Sequence, residues 1–263
     1  MVYPISATKL NAYQRCPYAY FLKYEKRVPV TEGFGSAVLG NALHDALAQC
    51  HGGWTQGDRV PDWGWISDCW TRAATTLTNK QVREGRSILE NYYQKFIATE
   101  SVFRQPLAIE GRIQATLQFE NLEFSVTGRY DRIDYLDDGL ELIDYKSTQN
   151  IKSPKTTEME LQLGLYALAL EQTYDQSLKY VSLLFLRSGE KVRYAATDRH
   201  KRQVMRVLKD LAWQVRHDAV WDAKPGNQCE RCAYSQYCTA VNKSAQPEPQ
   251  GTTIPSLQLA FNL

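Results

Sequence analysis

The fold is decided by the stretch Gly128-Arg129-Tyr130-Asp131-Arg132-Ile133-Asp134-Tyr135, the turn signal Asp137-Asp138-Gly139, and Leu140-Glu141-Leu142-Ile143-Asp144-Tyr145-Lys146. An Asp-Gly turn between two apolar-patterned runs predicts antiparallel strands over about 129–135 and 140–146. Pairing across that turn brings Asp131 close to Asp144. Two carboxylates can hold a divalent cation against a phosphate, and an ammonium beside them, Lys146, can neutralise developing charge or orient an attacking water. The chemistry these residue types permit is metal-dependent phosphodiester cleavage.

Upstream, Ile113, Ala115, Leu117 and Phe119 alternate with polar residues, Glu120-Asn121 turns, and Leu122, Phe124 and Val126 alternate again, which predicts a β-meander leading into the strand at 129. Before it, Ser6 is an N-cap for a helix through about Leu22, bent at Pro17. A second helix follows Gly35-Ser36 with Val38, Leu39, Leu43, Ala46 and Leu47 on its apolar face and His44 in the same turns. The tryptophan-rich segment 53–70 reads as loop, and residues 71–98 as a helix broken near Gly85. Downstream, Leu161, Leu165, Leu168 and Ala169 mark a helix to about Thr173. Strands near 180–186 and 192–196 follow, then a helix over about 198–217. The architecture implied is mixed α/β, a central sheet flanked by helices. Residues 1–242 are expected to form one domain, with a helical insertion over about 36–100, and 243–263 a disordered tail.

The hydrophobic fraction of 43% and charged fraction of 23% are ordinary for a globular chain, and no apolar run approaches the roughly 18 residues of a membrane span. The N-terminus lacks the basic-then-apolar pattern of a secretory signal, so a cytoplasmic location is expected. In a reducing compartment six cysteines are ligands or packing residues before they are disulfides. Cys229-x2-Cys232-x5-Cys238 has metal-ligand spacing and can be completed by Cys16, whereas Cys50 and Cys69 have no partners at such spacing. A net charge of +2 does not announce a nucleic-acid binder. Phosphate contacts would come from local clusters, Lys9, Arg15, Lys23, Lys26 and Arg27, or Arg199, Lys201, Arg202, Arg206 and Lys209, each of which reads equally as a solvated helix face.

Taken singly, these features have plain structural readings: His44 as a hydrogen-bonded helix histidine, Asp131 as a salt-bridge partner of Arg129, Arg132 or Lys146, and Gln162 with Tyr166 as one face of an amphipathic helix. Their order is more specific. Gly40-Asn-Ala-Leu-His44, Gly128-Arg-Tyr-Asp131-Arg132, Asp144-Tyr-Lys146, Gln162-Leu-Gly-Leu-Tyr166 and the cysteine set, with Cys16 followed by Pro17, run in the sequence in which they occur in one group of enzymes. The chain resembles the PD-(D/E)XK nuclease superfamily, specifically the RecB-type iron-sulfur branch that includes AddB, exonuclease V and CRISPR-associated RecB-like nucleases. The resemblance extends from Ser6 to Cys238.

The resemblance implies a restriction-endonuclease-like core. It implies that His44, Asp131, Asp144 and the backbone carbonyl of Tyr145 ligate Mg²⁺ or Mn²⁺, and that Lys146 orients or activates water. Gln162 and Tyr166 would place the DNA backbone or support Lys146, and Arg15 would also contact DNA. Cys16, Cys229, Cys232 and Cys238 would hold a [4Fe-4S] cluster, with a four-cysteine Zn²⁺ site as the chemical alternative. The implied function is a DNA nuclease, exonuclease rather than endonuclease, acting on single-stranded or end-exposed DNA in repair, recombination or CRISPR adaptation. A noncatalytic iron-sulfur DNA-binding module is the alternative. With no Gly-x4-Gly-Lys-[Ser/Thr] loop, unwinding falls to a helicase or ATPase in trans. Gln258-Leu-Ala-Phe261 faintly resembles peptides that bind sliding clamps.

Overall fold

The computed structural model describes residues 2–29, 35–119, 122–147 and 156–247, so the expected clamp-binding peptide lies outside the described residues. Along the chain the elements are β1 (Val2–Ile5), α1 (Ala7–Arg15), α2 (Pro17–Tyr20) running into a π-helical turn (Phe21–Glu25), α3 (Gly35–Gly52), α4 (Trp63–Ala73) and α5 (Asn79–Phe96). Then come β2 (Ala108–Phe119), β3 (Leu122–Leu136), β4 (Gly139–Lys146), α6 (Thr156–Tyr174), β5 (Leu178–Phe185), β6 (Glu190–Ala195) and α7 (Asp198–His217), followed by two 3₁₀ turns, Asn227–Arg231 and Ser235–Tyr237. The chain divides into two compact units: Met1–Ser6 with Gly33–Leu208, and Ala7–Glu32 with Lys209–Leu263.

The first unit is built around β3. Most of its length pairs antiparallel with β2, from Phe119 opposite Leu122 to Ala108 opposite Ile133. On its other edge β3 is shared: β1 pairs parallel with Glu123–Val126, and β4 pairs antiparallel with Arg132–Leu136. Neither covers residues 127–131. The sheet continues through β5, parallel to β4, and ends at β6, antiparallel to β5. Parallel central strands are buried on both faces and so read as nearly continuous apolar runs. Leu140, Leu142, Ile143 and Tyr145 of β4 and Leu183, Leu184 and Phe185 of β5 are all buried.

Three helices supply one layer of core. Leu43, Leu47 and Cys50 of α3, Ile66, Cys69 and Trp70 of α4, and Leu89 and Tyr92 of α5 pack with Ile143, Tyr145 and Leu184 of the sheet. Fully burying each such leucine contributes about 1.5–3 kcal/mol. Cys50 and Cys69 are packing residues in this layer, and burial pushes the Cys50 thiol up to about 12. Thr78 starts α5 with a reciprocal cap, its hydroxyl accepting from the Gln81 amide while Gln81 accepts from the Thr78 amide. Helix α6 packs on β2, β3 and β5.

The structure departs from sequence expectation in four places. β1 is a parallel strand of four residues, too short to show a period. The segment expected to be loop contains α4, capped by Asp62, whose carboxylate accepts from the Trp65 amide at 2.9 Å. Gly85 does not break α5; a Cβ there would lie 2.3 Å from the Trp70 ring, so the glycine makes room for the indole. Residues expected as two strands form one β3 running straight through Gly128.

The second unit holds α1, α2, the π-helical turn, the end of α7 and the two 3₁₀ turns, with no strand among its described residues. Tyr13 of α1 donates to Asp218 at 2.7 Å, and the other Asp218 oxygen accepts from the Val220 and Trp221 amides. Trp221 stacks on Tyr20 and Phe21 and has φ +56°, a left-handed backbone that is uncommon for a bulky residue. Leu22, Val28 and Tyr234 form a small core.

Candidate metal centre

The uncovered edge of β3 at residues 127–131 is where the site forms. A strand edge leaves backbone groups that must find partners elsewhere. The Arg129 carbonyl accepts from the Tyr166 hydroxyl of α6 at 2.6 Å. Asp131 Oδ2 accepts from the Tyr145 amide of β4 at 2.6 Å, so a side chain takes over at the point where the β3–β4 ladder stops. Gly128 lets the Tyr166 ring approach, since a Cβ would lie 2.9 Å from it and 3.1 Å from Ile113.

Register aligns three carboxylates. On β2 and β3, Ile109 pairs with Arg132 and Gly111 with Tyr130, which sets Glu110 against Asp131. On β3 and β4, Arg132 pairs with Ile143, so the next step along sets Asp131 against Asp144. His44 comes to this row from α3, its Nδ1 3.2 Å from Asp131 Oδ1 and 3.9 Å from Glu110 Oε1. Ligand atoms of His44, Glu110 and Asp131 all lie within 4.8 Å of one another. Asp144 Oδ2 is in ion-pair contact with Lys146 Nζ, and Arg129 lies 3.7 Å from Glu110.

The electrostatics are those of crowded carboxylates. Burial and the Asp131 charge raise the Glu110 pKa against the pull of His44 and Arg129. Burial raises Asp144, with Lys146 opposing and Asp131 adding to the rise. Burial would lower His44, but its hydrogen bond to Asp131 and the charges of Asp131, Glu110 and Asp144 outweigh that, leaving it raised. Glu110 has φ +46°, and its buried Oε1 has no hydrogen-bond partner among the described residues. A strained backbone carrying an unmet carboxylate oxygen beside an imidazole and a second carboxylate fits a divalent cation, which would satisfy all three.

Of the residues picked from sequence, His44 and Asp131 are in contact, and Asp144 and Lys146 pair on the next strand. Gln162 Nε2 donates to the Tyr166 hydroxyl at 3.3 Å, which places both at the Arg129 end of the uncovered edge. Tyr145 joins the row through its backbone, its amide donating to Asp131 Oδ2. Glu110 was not picked out. Its signal was present, because counting back from the Glu120-Asn121 turn puts residue 110 opposite 131.

The four cysteines lie in the second unit. Cys16, Cys229, Cys232 and Cys238 line one cavity of about 200 Å³, together with Arg15, Tyr18, Tyr20 and Tyr234. Two sulfurs accept backbone hydrogen bonds: Cys16 from the Lys224 amide at 3.5 Å, and Cys229 from Gly226 at 3.4 Å.

The model of the PD-(D/E)XK nuclease superfamily matches residues 4–239, and the chain belongs to that superfamily. Its mixed sheet flanked by helices is the restriction-endonuclease-like fold expected from sequence, and its centre is that of a metal-dependent nuclease family with a His, Glu and Asp group able to bind a metal. No curated protein matches the chain. Solved structures similar to it include SSO0001, at 14% identity and TM-score 0.43, with 92% of this chain and 89% of that one covered. Another is VC1899 from Vibrio cholerae, at 12% identity and TM-score 0.22, with 78% and 50% covered. No helix among the described residues is long and apolar enough to cross a membrane.

Proposed function

We propose that this chain is a nuclease of the RecB-type iron-sulfur branch that hydrolyses phosphodiester bonds of single-stranded or end-exposed DNA, as an exonuclease, in repair, recombination or CRISPR adaptation. Residues 1–242 act as one nuclease domain, with unwinding supplied by a helicase or ATPase in trans. The observation that carries the reading is the convergence of His44, Glu110 and Asp131 at the uncovered edge of β3, with Asp144 and Lys146 on the adjoining strand.

His44, Asp131, Asp144 and the backbone carbonyl of Tyr145, joined by Glu110, would hold Mg²⁺ or Mn²⁺; carboxylates suit either ion, and the imidazole favours Mn²⁺. When bound, the ion supplies Lewis-acid stabilisation of a phosphoryl oxygen and of the attacking water. Lys146, held by Asp144, orients that water and neutralises charge on the phosphate. The Tyr166 hydroxyl keeps the Arg129 segment of β3 in place, and Gln162 fixes Tyr166 from one helical turn away. Arg15, Gln162 and Tyr166 are the residues assigned to DNA contact.

The cysteine cavity brings together the four thiols that a [4Fe-4S] cluster would need, with a four-cysteine Zn²⁺ site as the chemical alternative. The backbone amides on Cys16 and Cys229 would stabilise charged sulfur.

The test is cleavage of end-labelled single-stranded DNA by anaerobically purified protein with Mg²⁺ or Mn²⁺, beside an EDTA control and Lys146→Ala. Metal-dependent cutting lost in the variant is the expected result. Binding without cutting in the wild type would move the assignment to a noncatalytic DNA-binding module.

A further inference from the structure

Behind the carboxylate row lies a buried polar network with no part in the chemistry above. Arg132, the residue after Asp131, carries a guanidinium whose Nη1 donates to His51 Nε2 at 2.7 Å, to the Tyr145 hydroxyl at 3.1 Å and to the Tyr92 hydroxyl at 3.2 Å. Nη2 pairs with Asp134 at 2.8 Å. A guanidinium has only donors, so His51 accepts at Nε2 and is neutral, with its proton on Nδ1. Burial and the Arg132 charge hold the imidazole pKa well below its ordinary value, consistent with that state.

Stability alone does not account for the arginine. A buried charge stabilises poorly unless its hydrogen bonds are complete, and apolar groups of like volume often do better. Arg132 Nε has no partner among the described residues, and neither has Asp134 Oδ1. What the fork does accomplish is orientation. Tyr145 touches the metal centre twice: its amide holds Asp131 Oδ2 at 2.6 Å, and its ring stands edge-on to His44, with centroids 5.8 Å apart at 89°. The far end of the same ring is its hydroxyl, and Arg132 is what grips it. A swing of the Tyr145 ring would therefore remove the surface against which the His44 imidazole stands, while the amide that holds Asp131 stays with β4. The ring's only polar handle is fixed by a planar fork that is itself fixed by His51, Tyr92 and Asp134.

We propose that Arg132 is a positioning residue: through the Tyr145 hydroxyl it fixes the ring against which His44 stands, and so the orientation in which His44 receives the divalent ion. This rests on the metal-centre reading given above. Hydrogen-bonded groups behind metal ligands commonly govern affinity by about 10–100-fold.

Full-length protein is titrated with Mn²⁺, followed by electron paramagnetic resonance, and its melting temperature without metal is measured alongside. Tyr145→Phe removes one oxygen and keeps the ring and amide; Arg132→Lys keeps the charge and removes the fork. Leu208→Ala, a cavity in α7, is the control for loss of stability. Expected are a loss of roughly 10-fold or more in Mn²⁺ affinity for both network variants, a melting temperature for Tyr145→Phe close to wild type, and a lower melting temperature with unchanged affinity for Leu208→Ala. Wild-type affinity in Tyr145→Phe and Arg132→Lys, or an equal loss in Leu208→Ala, overturns the proposal and leaves the metal reading standing. A wild type that binds no Mn²⁺ sinks both.

Discussion

The carboxylate centre and the cysteine cavity are built by opposite means. His44, Glu110, Asp131 and Asp144 sit on a helix and three strands whose ladders and apolar core exist apart from any ion. Crowding them costs stability, visible in the raised pKa values of Glu110 and Asp144. The cysteines instead lie on or beside short helical and 3₁₀ turns in a unit with a small core of Leu22, Val28 and Tyr234. The first region is a scaffold that tolerates an unfavourable site; in the second, a group bound by the sulfurs would add directly to folding free energy.

The largest effect that separates them is on chemistry. Lys146→Ala should reduce cleavage by roughly 10²–10³-fold, with circular dichroism and melting unchanged; a variant that arrives unfolded would show the lysine to be structural. Next is Cys232→Ser, which should remove the visible absorption of an iron-sulfur cluster and lower the melting temperature. Mn²⁺ affinity of the other unit should survive. Intact absorption and melting in that variant would end the cluster assignment, and Mn²⁺ binding lost with the cluster would erase the contrast between the two regions. A smaller change separates site from scaffold within the first unit: Glu110→Gln should weaken Mn²⁺ by about 10-fold or more while leaving the metal-free protein as stable or slightly more so, because one repelling charge is gone. Lower stability without metal would mean that Glu110 is there to support the fold.

The smallest effect is with pH. Glu110, Asp144 and His44 all hold their protons more tightly in the folded chain than ordinary groups do. For raised pKa values the folded state binds more protons than the unfolded one, so their contribution to metal-free stability falls as pH rises from the ordinary carboxylate range near about 4 to above the ordinary imidazole value of about 6.5. Metal binding needs the same protons gone. The rise in melting temperature on adding Mn²⁺ should therefore be larger at about pH 8 than at about pH 5. An equal rise at both would show that these groups are not the ligands.

Much of the sheet was legible because period and turn chemistry are local. Asp137-Asp138-Gly139 between two apolar runs gives β3 and β4, and their register follows. What escaped depended on partners distant in sequence. The tryptophans of α4 look loop-like beside Pro61 and Gly64, although Asp62 before Trp63, Ile66 and Trp70 is a cap before a helical stripe. Gly85 has low helix propensity, but its small size is what Trp70 requires. In the site, His44, Asp131, Asp144 and Lys146 stand out through ordered motifs, whereas Glu110 belongs to no motif and is located only by counting register through a turn. Arg132 looked like a salt-bridge partner for its neighbour, and only the three-dimensional arrangement turns its fork away toward His51, Tyr92 and Tyr145.

The cysteine cavity draws on both ends of the domain. Cys16 leaves the ribosome 229 − 16 = 213 residues before Cys229, with β2 to β6 synthesised in between. At roughly 5–20 residues per second that is an interval of about ten to forty seconds, during which the first thiol waits while β2 to β6 are made. The four thiols can meet only after Cys238 has been made, so a chain broken anywhere within the sheet would lack three of the four.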